Sequence, residues 1–227
     1  GGQLVKHDAT RILAYSCTHF PYSHEHAFRF LKDLKREYKP TVVVCLGDVC
    51  DLHAFSKWPK HPECYGAADE IKEAREGVRK LADIFPRQLV CKSNHDERIR
   101  RLAISHGVPE EVVKSWQEVF KAPPGWQYAW EWEVGPALAI HGDRYSGANG
   151  IRNAVKDNFS CTIMGHIHTE AGVFWQETNG GMVWGLQAGC LIDPTYAAFE
   201  YQQTNRNRPL IGAGVVIDNN PHWIKLI

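Results

Sequence analysis

Residues 41–46 have the sequence Thr-Val-Val-Val-Cys-Leu, an apolar run interrupted only at its first position. A short continuous run of this kind predicts a strand that is buried on both faces, as in a parallel sheet. A second apolar run, residues 11–17, precedes it, and residues 23–38 between the two runs carry apolar side chains at helical spacing. The chain therefore opens as strand, helix, strand, the unit from which α/β folds are built.

The rest of the chain continues this alternation and then becomes rich in strands. Further helices are predicted at residues 69–85, 96–106, 109–120 and 149–158. Further strands are predicted at residues 88–92, 127–134, 138–141, 161–164, 172–176, 182–187, 214–218 and 223–227, and a loop at 202–208. This order predicts a single α/β domain over residues 1–227. Its expected architecture is a four-layer α-β-β-α sandwich of two mixed sheets flanked by helices.

The composition restricts the class of partner. Lys and Arg number 26 and so do Asp and Glu, which argues against broad electrostatic affinity for nucleic acid or anionic membranes, although a local basic patch can still hold phosphate. The seven cysteines are odd in number and scattered, which favours a reducing, cytoplasmic location. No apolar run approaches the length that crosses a bilayer, so no membrane partner is expected.

Five short motifs follow apolar, strand-like runs. They are Cys17-Thr-His19, Gly47-Asp48-Val-Cys-Asp51, Ser93-Asn94-His95-Asp96, His141-Gly-Asp143 and Gly165-His166-Ile-His168. Ligands in open α/β folds gather at the carboxyl ends of strands, so these side chains are expected to form one shared site. In this order the motifs resemble the calcineurin-like metallophosphoesterase family, whose pattern is D-x-H, G-D-x-x-D, G-N-H-D/E, H and G-H-x-H.

The resemblance implies two divalent ions bridged by Asp48. One ion takes Cys17, His19 and His168 as ligands. The other takes Asn94, His141 and His166. Imidazole suits Mn, Zn, Fe or Ni better than Mg, and a pair of such ions activates a bridging hydroxide that attacks phosphorus directly.

The resemblance also implies an acid arm. It assigns His95 to the leaving oxygen of the ester and Asp51 to orienting His95. Arg98 and Arg101 lie at the start of the helix predicted after this motif, where a phosphate contact is expected. A solvated helix face is the equally open alternative for these arginines.

The sequence departs from the family pattern at two positions. Cys17 replaces an Asp, and three interpretations stay open: a thiolate ligand that favours Zn and Fe(II), a residue beside a metal that uses water instead, or a mark of lost activity. Ser93 replaces a Gly, a change that costs little if this residue does not need a left-handed backbone.

Two further features bear on the substrate. The aromatic residues Trp126, Tyr128, Trp130 and Trp132 alternate, which predicts one strand face. Core or subunit packing is the default role of this face, and base stacking is its role if the rings are exposed. The irregular segment 53–66 leaves directly from the Asp48 motif and is expected to overhang the site.

We expect the substrate to be a phosphodiester such as a nucleotide or nucleic acid. A phosphomonoester, or a metal-binding scaffold for protein contacts without turnover, are the alternatives.

Overall fold

The structure is a computed structural model that describes residues 6–7, 9–199 and 206–227. The strands in this part of the chain are β1 Lys6–His7, β2 Arg11–Tyr15, β3 Val42–Cys45, β4 Gln88–Cys91, β5 Trp126–Ala129, β6 Glu131–Val134, β7 Ala137–Ile140, β8 Cys161–Met164, β9 Gly172–Thr178, β10 Gly181–Gln187, β11 Gly212–Ile217 and β12 Asn220–Lys225. The α-helices are α1 Ala27–Tyr38, α2 Ala67–Ile84, α3 Arg98–Ser105, α4 Trp116–Phe120 and α5 Gly150–Asn158. Single 3₁₀ turns occur at His53–Phe55, Glu110–Val112 and Ala197–Phe199.

The strands form two mixed sheets of six strands each. The first sheet has the order β12-β11-β2-β3-β4-β5, with β2 to β5 parallel and β11 and β12 antiparallel to their neighbours. The second sheet has the order β1-β6-β7-β8-β10-β9, in which β7, β8 and β10 are parallel. The apolar runs that predicted β2 and β3 therefore lie in the parallel centre of the first sheet, as expected for strands buried on both faces.

Two apolar cores lie between the layers. Between the sheets, Val44 and Leu46 of the first sheet pack with Trp184 of the second. Outside the first sheet, Leu31 and Leu81 of α1 and α2 complete a second core. Helix α5 contacts β8 and β10 on the outer side of the second sheet. The predicted α/β architecture of two mixed sheets flanked by helices is confirmed.

The prediction of one continuous strand at residues 127–134 was wrong. Residues 127–134 form two strands, because the chain leaves the first sheet after β5 and enters the second at β6. Trp126 packs in the core beneath the helices, whereas Trp132 packs between the sheets. Trp130 lies at the crossing and is 54% exposed. The four alternating aromatic residues therefore do not share one face. The chain changes sheets between β5 and β6 while the alternation of its side chains continues. The predicted role in core packing is confirmed for Trp126 and Trp132.

The helix predicted at residues 109–120 was also wrong as a single element. A 3₁₀ turn at Glu110–Val112 ends before Ser115, and α4 begins anew at Trp116. The Ser115 side chain accepts the backbone N–H of Glu118, and the Glu118 carboxylate accepts the backbone N–H of Ser115. This capping box starts a separate helix inside the apparently continuous run. The loop predicted at 202–208 lies largely outside the described residues.

The fold brings all five motifs to one edge. Each motif begins within three residues of the end of a strand, namely β2, β3, β4, β7 and β8. The carboxyl ends of parallel strands lie at the same edge of a sheet, and here the edges of both sheets contribute. None of the helices in the described residues has the length and hydropathy that a membrane span requires.

Candidate metal centre

Four side chains from three motifs form one compact group, which we call the Cys17 cluster: Cys17, His19, Asp48 and His168. Their candidate ligand atoms all lie within 4.8 Å of one another. His19 Nε2 is 3.2 Å from His168 Nε2 and 3.4 Å from Asp48 Oδ2. Metal bonds to nitrogen and sulfur are roughly 2.0–2.3 Å long, so ligand atoms on opposite sides of an ion are separated by about 4.5 Å. One cation can therefore contact the whole cluster.

A second group, which we call the His141 cluster, contains Asp48, His141 and His166, with Asn94 beside them. His141 Nε2 lies 3.3 Å from Asp48 Oδ2, 3.2 Å from His166 Nδ1 and 2.9 Å from Asn94 Oδ1. Asp48 Oδ2 therefore faces both clusters, while Asp48 Oδ1 accepts the backbone N–H of His95 at 3.2 Å. The shared carboxylate lies between the two groups of candidate ligand atoms.

Two histidines are held with Nε2 turned towards the clusters. His19 Nδ1 donates to Asp51 Oδ1 at 2.7 Å, and His141 Nδ1 donates to the Leu46 carbonyl oxygen at 2.7 Å. Histidines that ligate metals commonly donate their other ring N–H to a carboxylate or a carbonyl in this way, which fixes the tautomer. The donor set of both clusters therefore fits divalent transition metals.

The local charges favour cation binding. Burial alone raises the pKa of Asp48, but the neighbouring His141 and His95 hold it well below its usual range, so this carboxyl is ionised. Burial together with His141 lowers the pKa of His166 to about 4, and burial together with His19 lowers the pKa of His168. Both rings are neutral at pH 7, which is the form that ligates a metal.

The other two histidines are basic because of their carboxylate partners. Burial lowers the pKa of His19, but hydrogen bonds with Asp48 and Asp51 raise it well above its usual value. In the same way Asp48 overrides burial and raises the pKa of His141 to about 9. A cation that binds these rings must displace protons, so metal affinity is expected to increase with pH.

The backbone is constrained at the same residues. Cys17, His19, Asp48 and His166 have φ angles of 53°, 46°, 51° and 65°. Residues other than glycine rarely adopt this left-handed conformation, and such conformations cluster at functional sites. The loops are held together by backbone hydrogen bonds, in which Cys17 N–H donates to the Gly47 carbonyl at 3.0 Å and His19 N–H donates to the Asp48 carbonyl at 2.9 Å.

Ser93 and Asp96 fix the loop that carries the shared carboxylate, a role that the sequence reasoning missed. Ser93 Oγ accepts the backbone N–H of Asp48 at 2.9 Å and donates to Asp96 Oδ2 at 2.7 Å. The Asp96 carboxylate in turn accepts the backbone N–H groups of Val49 and Cys50. The Ser-x-x-Asp spacing was the available signal, since such pairs satisfy free N–H groups. Ser93 itself is not among the residues with positive φ, so the serine in place of the family's glycine needs no left-handed backbone here.

Two glycines allow the loops to approach closely. A Cβ at Gly47, whose φ is +90°, would lie 2.7 Å from Ser93 Cβ, and a Cβ at Gly165 would lie 1.8 Å from Ser16 Oγ. The Gly165 loop is held from behind by Gln187, whose Nε2 donates to the Gly165 carbonyl at 2.6 Å. The glycines of the second and fifth motifs are therefore required by packing.

His95 and Asp51 lie together, with one difference from the prediction. His95 Nδ1 donates to the Asp51 carbonyl oxygen at 2.8 Å and is 3.1 Å from Asp51 Oδ1. The shorter contact of this carboxylate, at 2.7 Å, is with His19. Burial raises the pKa of Asp51, but hydrogen bonds with His19 and His95 lower it below its usual range. Asp51 therefore orients a candidate ligand as well as His95.

The three arginines discussed for α3 have different surroundings. Arg98 donates to His95 Nε2 at 3.1 Å and to the Asp51 carbonyl at 2.7 Å, so it lies at the site. Arg101 donates to the Asn94 carbonyl oxygen and supports the loop. Arg100 pairs with Glu110 at the surface, which is the solvated-face interpretation.

A cavity of ≈ 740 Å³ adjoins His95. Its walls come from Asn94, His95 and Arg98 on one side and from residues of the segment 53–62 on the other. The irregular segment after the Asp48 motif thus reaches the site, as expected.

A comparison with known sequence families agrees with this arrangement. The sequence model of calcineurin-like phosphoesterases matches residues 10–177, a range that contains all five motifs. Among solved structures, Vacuolar Protein Sorting 29 from Cryptosporidium parvum is similar with a TM-score of 0.47 and 13% identity, over 96% of this chain and 97% of that chain. YfcE, a phosphoesterase from E. coli, is similar with a TM-score of 0.48 and 14% identity, over 90% of this chain and 87% of that chain. No curated protein matches the chain. Because the family model covers most of its length, the chain belongs to the calcineurin-like phosphoesterases, a family of metal-dependent enzymes that act on phosphate esters.

Proposed function

We propose that this protein hydrolyses a phosphodiester with two divalent transition-metal ions. The observation that carries the proposal is the position of Asp48, whose Oδ2 lies 3.4 Å from His19 Nε2 and 3.3 Å from His141 Nε2. A single buried carboxylate between two sets of ligand atoms is what a binuclear site needs.

The assignment of ligands follows the two clusters. Cys17, His19 and His168 would hold one ion and Asn94, His141 and His166 the other, with Asp48 available to both. When bound, the ions activate water as the nucleophile and neutralise charge on the phosphate. Asp51 and the Leu46 carbonyl keep the Nδ1 protons of His19 and His141 in place, so that each Nε2 stays available as a ligand.

His95 acts on the leaving oxygen. Its Nδ1 proton is held by the Asp51 carbonyl, so Nε2, which here accepts an N–H of Arg98, is the atom that would exchange a proton with the ester once Arg98 turns to the substrate. The Arg98 guanidinium lies 3.1 Å from this Nε2, and both groups line the cavity. Arg98 is therefore placed to stabilise negative charge on the same oxygen. Arg101 supports this arrangement through Asn94 and is not assigned a direct contact.

Cys17 is proposed to bind metal as a thiolate. The residue is fully buried, and its Sγ lies within 4.8 Å of every other candidate ligand atom of its cluster. A thiolate is softer than a carboxylate, so the Cys17 cluster is expected to prefer Zn or Fe(II), with Mn less favoured and Mg least.

The preference for a diester rests on space. The ≈ 740 Å³ cavity beside His95 has room for the leaving group, which both classes of ester carry, and for part of a second ester group, which only a diester carries. A monoesterase with the same mechanism is the alternative, and it predicts no advantage from a second ester group.

Turnover with simple substrates tests the proposal. The purified protein is incubated with Zn, Fe(II), Mn, Ni or Mg and with either bis(4-nitrophenyl) phosphate or 4-nitrophenyl phosphate. We expect metal-stimulated release of nitrophenolate that is faster from the diester. Turnover that is faster from the monoester contradicts the diester preference. Absence of metal-stimulated turnover with every pairing contradicts the enzyme proposal and favours a metal-binding scaffold.

A further inference from the structure

The cavity beside His95 has features that a metal site alone does not need. We propose that it is a subsite for the base and sugar of a small nucleotide ester, which names the substrate class of the proposed phosphodiesterase and rests on that function. Pockets that bind whole small organic ligands have volumes of about 300–1,000 Å³. The cavity, at ≈ 740 Å³, lies within this range.

The position of the cavity connects it to the chemistry. Asn94 and His95, which line it, also contact the two clusters: Asn94 Oδ1 lies 2.9 Å from His141 Nε2, and His95 N–H donates to Asp48 Oδ1 at 3.2 Å. A phosphate held at the metal ligands therefore directs one of its ester groups into the cavity. The group in the cavity is part of the substrate and not a separate ligand.

Trp58 supplies a flat aromatic surface in the wall of the cavity. Its side chain is 66% exposed, which is unusual for the largest apolar side chain, and Lys57 Nζ lies 5.2 Å from the centre of the ring. Exposed aromatic side chains are the surfaces on which nucleobases stack, because every base has a flat π face. Trp130 is similarly exposed, but it lies at the crossing between the sheets and borders a space of only ≈ 50 Å³.

The charge of the lining fits an anionic ester. Lys60 and Arg98 are the permanently charged cations, and the acid in the lining is Asp51, whose carboxylate is buried against His19 and His95. The positive charge is local, because the whole chain has a formal net charge of zero. A long nucleic acid gains affinity mainly from many phosphate contacts. A local patch in a cavity instead favours a small nucleotide.

The wall is held in place before any ligand binds. Glu70 of α2 is fully buried and accepts the backbone N–H groups of His53 at 2.7 Å and Ala54 at 2.8 Å. His61 N–H donates to His53 Nε2 at 3.1 Å. These contacts tie the segment that carries Trp58 to the body of the protein, so less order has to be gained on binding.

Equilibrium binding tests the subsite without requiring turnover. The affinities of adenosine 5′-monophosphate and ribose 5-phosphate, which share the phosphate and the sugar, are measured by isothermal titration calorimetry in the presence of Zn²⁺. We expect the nucleotide to bind at least about tenfold more tightly than the sugar phosphate, because stacking of one base contributes that much. Trp58→Ala is expected to abolish this ratio, and Trp58→Phe to keep most of it.

Trp175→Ala is the matched control, because Trp175 is a 45% exposed tryptophan on β9 and not in the cavity wall. It is expected to leave both affinities unchanged. Equal affinities for the two ligands in the wild type, or a ratio that survives Trp58→Ala, overturn the subsite. A ratio that depends on Trp58 in a protein without metal-stimulated turnover leaves the subsite standing and overturns only the phosphodiesterase proposal.

Discussion

The Cys17 cluster and the His141 cluster share Asp48 but differ in exposure and in ligand chemistry. Cys17 and His19 are fully buried, whereas Asn94 and His166 are partly exposed. The buried side offers a sulfur, and the open side offers an amide oxygen. The replacement of the family's Asp by Cys therefore lies on the side of the site that is away from solvent.

This difference predicts different roles for the two metal positions. A closed cluster with a soft ligand is suited to an ion that stays bound. An open cluster next to His95 is suited to an ion that meets the substrate. We therefore expect the departure from the family pattern to affect the identity of one ion more than the reaction of the ester. The following substitutions test these roles.

Asp48→Asn is expected to have the largest effect, because it removes the negative charge on which both clusters depend. Metal affinity is expected to fall by more than about 100-fold at both positions, and turnover is expected to fall to background. Elemental analysis after dialysis, together with the nitrophenyl assay, measures both effects. Retention of one ion at full stoichiometry would show that the clusters do not share this carboxylate.

Cys17→Ala and His166→Ala separate the two clusters. Each is expected to lose about one ion and most of the turnover, because removal of a direct ligand weakens metal binding strongly. The ion lost with Cys17→Ala should be the slowly exchanging one, which a chelator pulse identifies in the wild type. Cys17→Asp should restore it and shift the preference towards Mn. An unchanged metal content in Cys17→Ala would exclude the thiolate as a required ligand.

His95→Ala tests whether the open side also carries the acid. The variant is expected to keep both ions, because His95 is not assigned as a ligand. It should lose about 100-fold in kcat on esters with poor leaving groups and less on nitrophenyl esters, which do not need protonation. A comparison of alkyl and nitrophenyl esters measures this difference. Loss of metal in this variant would contradict the assigned role.

The grouping of the candidate ligands could be predicted because each ligand lies in a short motif that follows an apolar run. His141 directly follows β7, and His19 and His166 lie within four residues of the ends of β2 and β8. Strand ends meet at one edge in any fold of this class. The layers were predictable for the same reason, since Val42–Cys45 is apolar without alternation.

Features that depend on tertiary packing were not predictable. The crossing at Trp130 keeps the alternation of a single strand, so the pattern cannot show that Trp126 and Trp132 enter different cores. The second contact of Asp51, with His19, required the positions of two loops. The exposure of Trp58 likewise required the structure, because nothing in its neighbouring residues distinguishes a cavity wall from a core.

Ser93→Ala tests the smallest effect and the feature that the sequence reasoning missed. The substitution leaves the buried N–H of Asp48 without its acceptor and removes one of the hydrogen bonds to Asp96 Oδ2, which keeps the N–H of Val49. Stability is expected to fall by about 1–3 kcal/mol, which urea unfolding of the metal-free protein measures. Ser105→Ala is the matched control, since the Ser105 hydroxyl donates to a helix carbonyl at the exposed surface and its loss should cost less than about 0.5 kcal/mol. If Ser93→Ala is as mild as the control, the Asp48 loop is held by its backbone contacts alone. If the variant is less stable and also binds metal less tightly at both clusters, the Ser93–Asp96 pair positions the carboxylate that joins them.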